Sequence, residues 1–261
     1  GMRLSIVGMP NVGKSSLTNA LLQKEQSIVT PIAGTTRDSI DSYLKYYGKI
    51  ITLVDTAGLR KRSKVSDSIE FYSTVRTQRA ILNSDVVLVL IDAIKGFSKQ
   101  DKTIIDEVIT KGKGLVLVVN KWDLVDKDTH TMKDFSDEIA YQFKSLTHYP
   151  TMYISALTKQ RVSKVLNVAN KVFKDRQVMI STAKLNKFLK DVIRQQSPPA
   201  TSGKVINLKY MTQVNVGPHL FVIFTNYPKL VPTSYKRFIE NQLRENFDLL
   251  GVPIRISFRK K

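Results

Sequence analysis

The sequence predicts an α/β protein: an open, mostly parallel sheet with helices on both faces, followed by a small α+β unit. Three observations carry this. Residues 3–175 alternate short apolar runs with amphipathic stretches. A glycine-rich loop stands between the first apolar run and the first helical stretch. After about residue 176 the pattern becomes helix, strand, strand, helix, strand. The chain is accordingly divided into residues 1–176 and 177–261.

The runs RLSIV, KIITLV, DVVLVLID, GLVLVVN and TMYIS are β-rich and apolar on both faces, as buried parallel strands are. Between them, SSLTNALL, FYSTVRTQRAIL and KTIIDEVI have helical spacing. In the second part, Leu185, Phe188, Leu189, Val192 and Ile193 form one helix face, and SPPATSG breaks it. KVINLKYM predicts a half-buried strand with Ile206, Leu208 and Tyr210 inward and Asn207 and Lys209 outward. HLFVIFTN predicts the next strand. A helix with Ile239, Leu243, Phe247 and Leu250 on one face follows, then a strand near IRISF.

Composition narrows the function. The 261 residues contain no cysteine, which excludes disulfides, thiolate catalysis and Cys-based metal sites and fits a reducing cytosol. No apolar run approaches the roughly 20 residues of a membrane span, so a cytoplasmic protein without a membrane partner is expected. Gly1-Met2 is read as a tag remnant, and the chain as a piece of something longer. The net charge of +19 favours an anionic partner such as nucleic acid, ribosome or acidic lipid. Residues 176–261 alone hold 15 bases and 4 acids, for +11.

GMPNVGKS at 8–15 fits G-x-x-x-x-G-K-[ST] in the required strand–loop–helix setting. Glycines let the backbone fold its N–H groups around phosphates. Gly8, Met9, Pro10, Asn11, Val12, Gly13, Lys14, Ser15 and Ser16 are therefore the phosphate-side candidates. Lys14 is expected to reach the β- and γ-phosphates and Ser15 to ligate Mg²⁺. In DTAGL at 55–59, Asp55 suits a carboxylate in the outer shell of Mg²⁺, and Gly58 an amide on the γ-phosphate; Thr56, Ala57 and Leu59 flank them. NKWD at 120–123 ends an apolar strand. Asn120 can bond the base edge, Lys121 can lay its stem over the ring, and Asp123 can accept two N–H bonds from guanine, which adenine does not offer. SAL at 155–157 ends the last strand of this half: Ala156 N–H can bind guanine O6, between Ser155 and Leu157. These elements in this order predict a GTP- and GDP-binding domain. GTTRD at 34–38 is the candidate γ-phosphate sensor, with Thr36, or its neighbour Thr35, as the Mg²⁺-ligating hydroxyl.

Catalysis needs more than these groups. Leu59 stands where many GTPases carry a water-orienting glutamine, and an isobutyl group cannot align water. Asn11, three residues before Lys14, can hold a monovalent cation (K⁺) against the phosphates with its amide oxygen. Lys14, Thr36, Asn11 and Gly58 are thus the catalytic candidates. Arg60, Lys61, Arg62 and Lys64 are either a partner-facing switch or a solvated loop.

GMPNVGKSSL, AGTTRD, DTAGLRKRSKV, NKWDL and SAL together resemble the second G domain of the EngA/Der family of bacterial ribosome-assembly GTPases. Those proteins carry two tandem G domains followed by a KH-like domain. The resemblance covers essentially the whole chain, with the first G domain absent. It implies a P-loop GTPase domain followed by a KH-like domain, GTP hydrolysis, association with the large ribosomal subunit and its rRNA, and a role in that subunit's maturation. Relatives with a hydrophobic residue at the position of Leu59 are known for potassium dependence. Beyond SAL the sequence reads TKQRV, where relatives often have a glycine. A KH module that clamps single-stranded RNA uses a G-x-x-G loop. The corresponding NYPKLVPTS at 226–234 has two prolines and no glycine, a lack the family's KH-like domain shares. That argues against an Era-like, RNA-reading GTPase and leaves a docking surface for protein or rRNA, or a basic packing partner. A slow-turnover guanine-nucleotide-binding scaffold is the non-enzyme alternative.

Overall fold

The computed structural model of the chain describes residues 1–24, 41–56, 69–128 and 130–260. They form two compact units, Gly1–Phe173 and Lys174–Lys261. The first contains β1 (Arg3–Gly8), α1 (Lys14–Lys24), β2 (Ser42–Tyr46), β3 (Lys49–Leu53), α2 (Ile69–Leu82), β4 (Val86–Asp92), α3 (Lys99–Thr110), β5 (Gly114–Asn120), α4 (Thr131–Gln142), β6 (Thr151–Tyr153) and α5 (Val162–Asp175). The sheet order is β2-β3-β1-β4-β5-β6, with β2 antiparallel and every other neighbour pair parallel.

Every residue of β4 and β5 is buried, because helices cover both faces of the sheet. On one face Val87, Val89, Ile91, Leu115 and Leu117 pack with Ile81 of α2, Ile105 and Val108 of α3 and Ile139 of α4. The alternate residues Leu88, Leu90, Val116 and Val118 are equally buried, as are Leu17 and Leu21 of α1 and Val165, Leu166 and Ala169 of α5. Burying a side chain of this size is worth about 1.5–3 kcal/mol, so these two strands are the most strongly held part of the unit. Ser98 caps α3 in a reciprocal box with Asp101. β2 was not among the predicted strands. It pairs with β3 through Tyr47-Gly48, both at positive φ, and alternates buried Ser42, Leu44 and Tyr46 with more open residues.

The second unit contains α6 (Thr182–Gln195), β7 (Leu208–Asn215), β8 (His219–Thr225), α7 (Thr233–Asn246) and β9 (Ile254–Lys260). β8 is central, antiparallel to β7 and parallel to β9. One sheet face packs Met211, Phe221, Ile223 and Ile256 against Leu185, Phe188 and Leu189 of α6 and Tyr235, Ile239 and Leu243 of α7.

Two expectations are corrected here. Tyr210 does not face inward: it is 41% exposed. The β7–β8 register shifts between Leu208 and Tyr210, one extra residue on β7 reverses the alternation, and Met211 takes the inward place. Leu250 is not on the helix face either. α7 ends at Asn246 and Phe247 is already extended, so helical spacing lapses; Leu249 is buried and Leu250 exposed.

A buried polar chain joins Gln213 of β7 to His219 at the start of β8. His219 is fully buried, with Nε2 2.9 Å from the Asp175 carbonyl and Nδ1 2.9 Å from Gln213 Nε2. A carbonyl only accepts, so His219 donates from Nε2 and accepts at Nδ1, which makes the ring neutral. Gln213 Oε1 in turn accepts from Ile180 N–H at 2.8 Å. Burial pushes the His219 pKa below its ordinary value, and Arg176 and Arg244 add to this against the Asp175 hydrogen bond.

Candidate nucleotide site

β1 delivers the chain to the loop 8–13 at the carboxyl edge of the sheet. A side chain at Gly8 would collide with the Leu90 carbonyl, at 2.6 Å from an added Cβ. At Gly13, φ is +102° and an added Cβ would run into the Asn120 amide. Asn11 also has positive φ, at 63°, and its side chain is exposed. Val12 is buried beneath the loop. The Leu17 amide donates to Gly13 O at 2.9 Å, which starts α1 with its N-terminal N–H groups at the loop. Lys14 Nζ donates to the loop's own Gly8 and Met9 carbonyls at 2.8 and 2.6 Å. Ser15 is half-buried in the first turn of α1, while Pro10 and Ser16 are exposed.

Asn120 ends β5 with its side chain 3% exposed. Its Nδ2 donates to Val12 O at 2.8 Å and its Oδ1 accepts from Ala156 N–H at 2.9 Å. One amide thus joins the glycine-rich loop to the 155–157 turn. Asn120, expected at the base edge, here acts as a strut, and Ala156 N–H, expected on guanine O6, donates to it. Ser155 is fully buried and accepts from Thr158 N–H; Leu157 is exposed. Lys159 and Arg161 occupy left-handed backbone at φ 62° and 59°, the conformation the missing glycine would adopt at lower cost.

Lys121, also left-handed, sends Nζ to Asp92 Oδ2 at 2.6 Å. Burial raises the Asp92 pKa, but hydrogen bonds from Lys121 and from the Ile94 and Lys95 amides outweigh it and hold the carboxyl below the usual range. Asp92 was missed in the sequence; its only signal is an acid at the end of an all-apolar strand. Trp122 is buried, its ring lies 4.6 Å from the Tyr153 ring, and its backbone N–H donates to Ile154 O. It anchors the short turn Trp122–Leu124 that carries half-buried Asp123.

Asp55 belongs to another cluster. Its backbone is left-handed, its N–H donates to Asp41 Oδ1 at 3.0 Å, and its Oδ2 meets Arg76 Nε at 3.0 Å. Its Oδ1 is buried and has no hydrogen-bond partner among the described residues. Burial raises the Asp55 pKa, Arg76 opposes this, and the nearby Asp41 carboxylate adds to it. Thr56 shares a 2.7 Å hydrogen bond with Ser42. Thr35, Thr36, Ala57, Gly58, Leu59, Arg60, Lys61, Arg62 and Lys64 lie outside the described residues. No described helix is long and apolar enough to cross a membrane.

Residues 3–121 match the family described as 50S ribosome-binding GTPase. Residues 179–259 match the C-terminal KH-domain-like family of EngA bacterial GTPase enzymes. GTPase Der of Chlorobium phaeobacteroides (strain BS1) is 48% identical over 260 residues, covering 100% of this chain and 60% of the relative. GTPase Der of Amoebophilus asiaticus (strain 5a2) is 48% identical over 259 residues, 99% of this chain and 60% of the relative. The chain thus spans about 60% of the length of these relatives. Among solved structures, Aquifex aeolicus Era bound to GDP and AlF4⁻ matches with TM-score 0.50 and 20% identity over 100% of this chain and 93% of that one. Era in complex with MgGDPNP and a segment of 16S ribosomal RNA matches with TM-score 0.50 and 21% identity, over 100% and 92%. At these identities the two structures show the fold alone.

Proposed function

Because the chain belongs to the EngA/Der family of GTPases, we propose that it binds GTP and GDP, hydrolyses GTP to GDP and phosphate, and acts in the cytoplasm in assembly of the large ribosomal subunit. The observation that supports this reading is the buried Asn120 amide, which bonds both the glycine-rich loop and the 155–157 turn. Residues 1–176 are read as the GTPase part and 177–261 as the KH-like part that meets subunit rRNA.

Lys14 is held by its own loop and needs only to exchange the Gly8 and Met9 carbonyls for phosphate oxygens. Asp123 accepts from guanine, and Lys121, fixed by Asp92, lies along the base. Magnesium fits the donor set: Asp55 has a buried, unpartnered carboxylate oxygen and Ser15 a hydroxyl beside the phosphate loop, both hard oxygen ligands. Ser15, Asp55 and Thr36 would hold it, and when bound it neutralises charge across the β- and γ-phosphates. Gly58 would supply an amide to the γ-phosphate. The left-handed, exposed Asn11 stands on the rim of the loop, where its amide oxygen suits potassium.

Single-turnover hydrolysis in potassium and in sodium at equal ionic strength, with and without large ribosomal subunits, tests the reading. Hydrolysis is expected to be faster in potassium. Asn11→Ala abolishes that difference and Leu59→Ala largely keeps it. Equal rates in both salts would leave the cation without a role. No turnover in either salt, with or without subunits, would favour a nucleotide-binding scaffold.

A further inference from the structure

We propose that one end of the second unit's sheet is a stacking platform for single-stranded RNA, built from Tyr210, Phe224 and Tyr227 and flanked by Lys204 and Arg259. The inference deepens the reading above and rests on it for the source of the RNA.

The register shift in β7 is what creates the surface. It turns Tyr210 away from the core and sets it in one row with Phe224 of β8 and Arg259 of β9, on the face opposite α6 and α7. The Tyr210 and Phe224 ring centroids are 6.2 Å apart and tilted by 41°. Tyr210 is 41% exposed and Arg259 is exposed. Where β8 ends, the chain turns through Tyr227, 36% exposed, with Lys204 Nζ 4.9 Å from its ring centroid. Asn226 holds this turn rigid: its Nδ2 donates to Val205 O and its Oδ1 accepts from Asn207 N–H, both at 2.9 Å. The neighbouring Tyr210 and half-buried Phe224 rings, with exposed Tyr227 two residues beyond β8, are costly surface unless something covers them.

Charge selects the occupant. No aspartate or glutamate occurs in residues 192–239 or 249–261, which include all three strands and the 216–218 and 226–232 loops. The same segments carry Lys204, Lys209, Lys229, Arg255, Arg259 and Lys260, among other bases. An anionic polymer with planar groups is the complement of aromatic rings beside cations on segments that carry no acid. Stacking also needs no close backbone approach. The absence of glycine from 226–234, which removes a G-x-x-G clamp, therefore does not count against it. Duplex RNA hides its base faces, so the surface is specific for unpaired strands and tolerant of sequence.

The test is fluorescence anisotropy of the full chain with a labelled oligouridine of about eight nucleotides at low salt, a length within one platform's usual reach. Wild type is expected to bind it, and duplex RNA of equal length to compete poorly. Tyr210→Ala and Tyr227→Ala are each expected to weaken binding about tenfold with an unchanged salt slope. Tyr210→Phe and Tyr227→Phe, which keep the rings, should bind as wild type. Arg259→Gln should lower the slope by about 0.7, one single-strand phosphate contact. Unaltered urea midpoints show that the variants fold. Failure of wild type to bind oligouridine, or alanine variants within about twofold of it, overturns the platform. Pelleting the same variants with large subunits separates the two readings. Lost oligouridine binding with intact subunit association supports the platform and removes it from the ribosomal contact. Lost subunit association with intact oligouridine binding overturns it in favour of a protein-docking face.

Discussion

In the first unit the candidate ligand groups stand on loops at the strands' carboxyl ends and are held by buried or part-buried hydrogen bonds: Lys14 to its loop, Asn120 to Val12 and Ala156, Lys121 to Asp92. In the second unit Tyr210 and Arg259 stand on the outer face of a sheet, with Tyr227 in the turn after β8, while the buried bonds of Gln213 and His219 lie on separate residues. On the proposed function and the proposed platform, recognition and folding share atoms in the first unit and are divided in the second. A substitution in the nucleotide site changes both together. One on the open face of the second sheet is expected to change binding alone.

Asp123→Asn breaks this comparison most sharply, because Asp123 is half-buried and is the one base-side group without a structural bond assigned to it above. GTP affinity should fall about 100-fold or more, with a gain for xanthosine triphosphate, from losing a charged hydrogen-bond pair. Titrating both nucleotides measures it; an unchanged preference for GTP would remove Asp123 from the site. Asn120→Ala should be felt in the fold itself. Leaving Val12 O and Ala156 N–H buried and unpaired costs about 1–3 kcal/mol each. A lowered urea midpoint in the nucleotide-free protein is the expected result. A variant of wild-type stability would show that the amide serves nucleotide alone.

The smallest effect belongs to the second unit. The folded pKa of His219 lies below the unfolded value, so the neutral ring's contribution is fully present above roughly pH 6.5 and declines as pH falls through that value toward the folded pKa. Urea midpoints at about pH 7.5 and 5.5 should differ more in wild type than in His219→Gln. Equal differences would show that the ring is not held neutral.

The parallel strands were legible because each is a local apolar run, and the phosphate loop because its spacing and setting lie within 20 residues. What escaped depends on partners far apart in the chain. The Asn120–Val12 bond spans 108 residues and the Lys121–Asp92 bond 29, so the sequence offered their ends without their pairing. Arg76 reads only as one base on a helix, yet it meets Asp55. Tyr210 was misplaced because one extra residue in a strand leaves the composition alone and reverses the face. β2 was overlooked because only one of its faces is apolar and it is short.

The Asn120 strut also bears on how this pocket can change over evolutionary time or in an engineer's hands. A lineage drifting toward another nucleotide through position 120 would lose foldedness before it gained a new preference, since the same amide closes the structure around Val12 and Ala156. Proteins stand close to their stability threshold, so such paths end early. Asp123, three positions further on, carries no such burden among the bonds described above. On the proposed role of Asp123, a redesign of base choice has its open route there, and position 120 is best left alone.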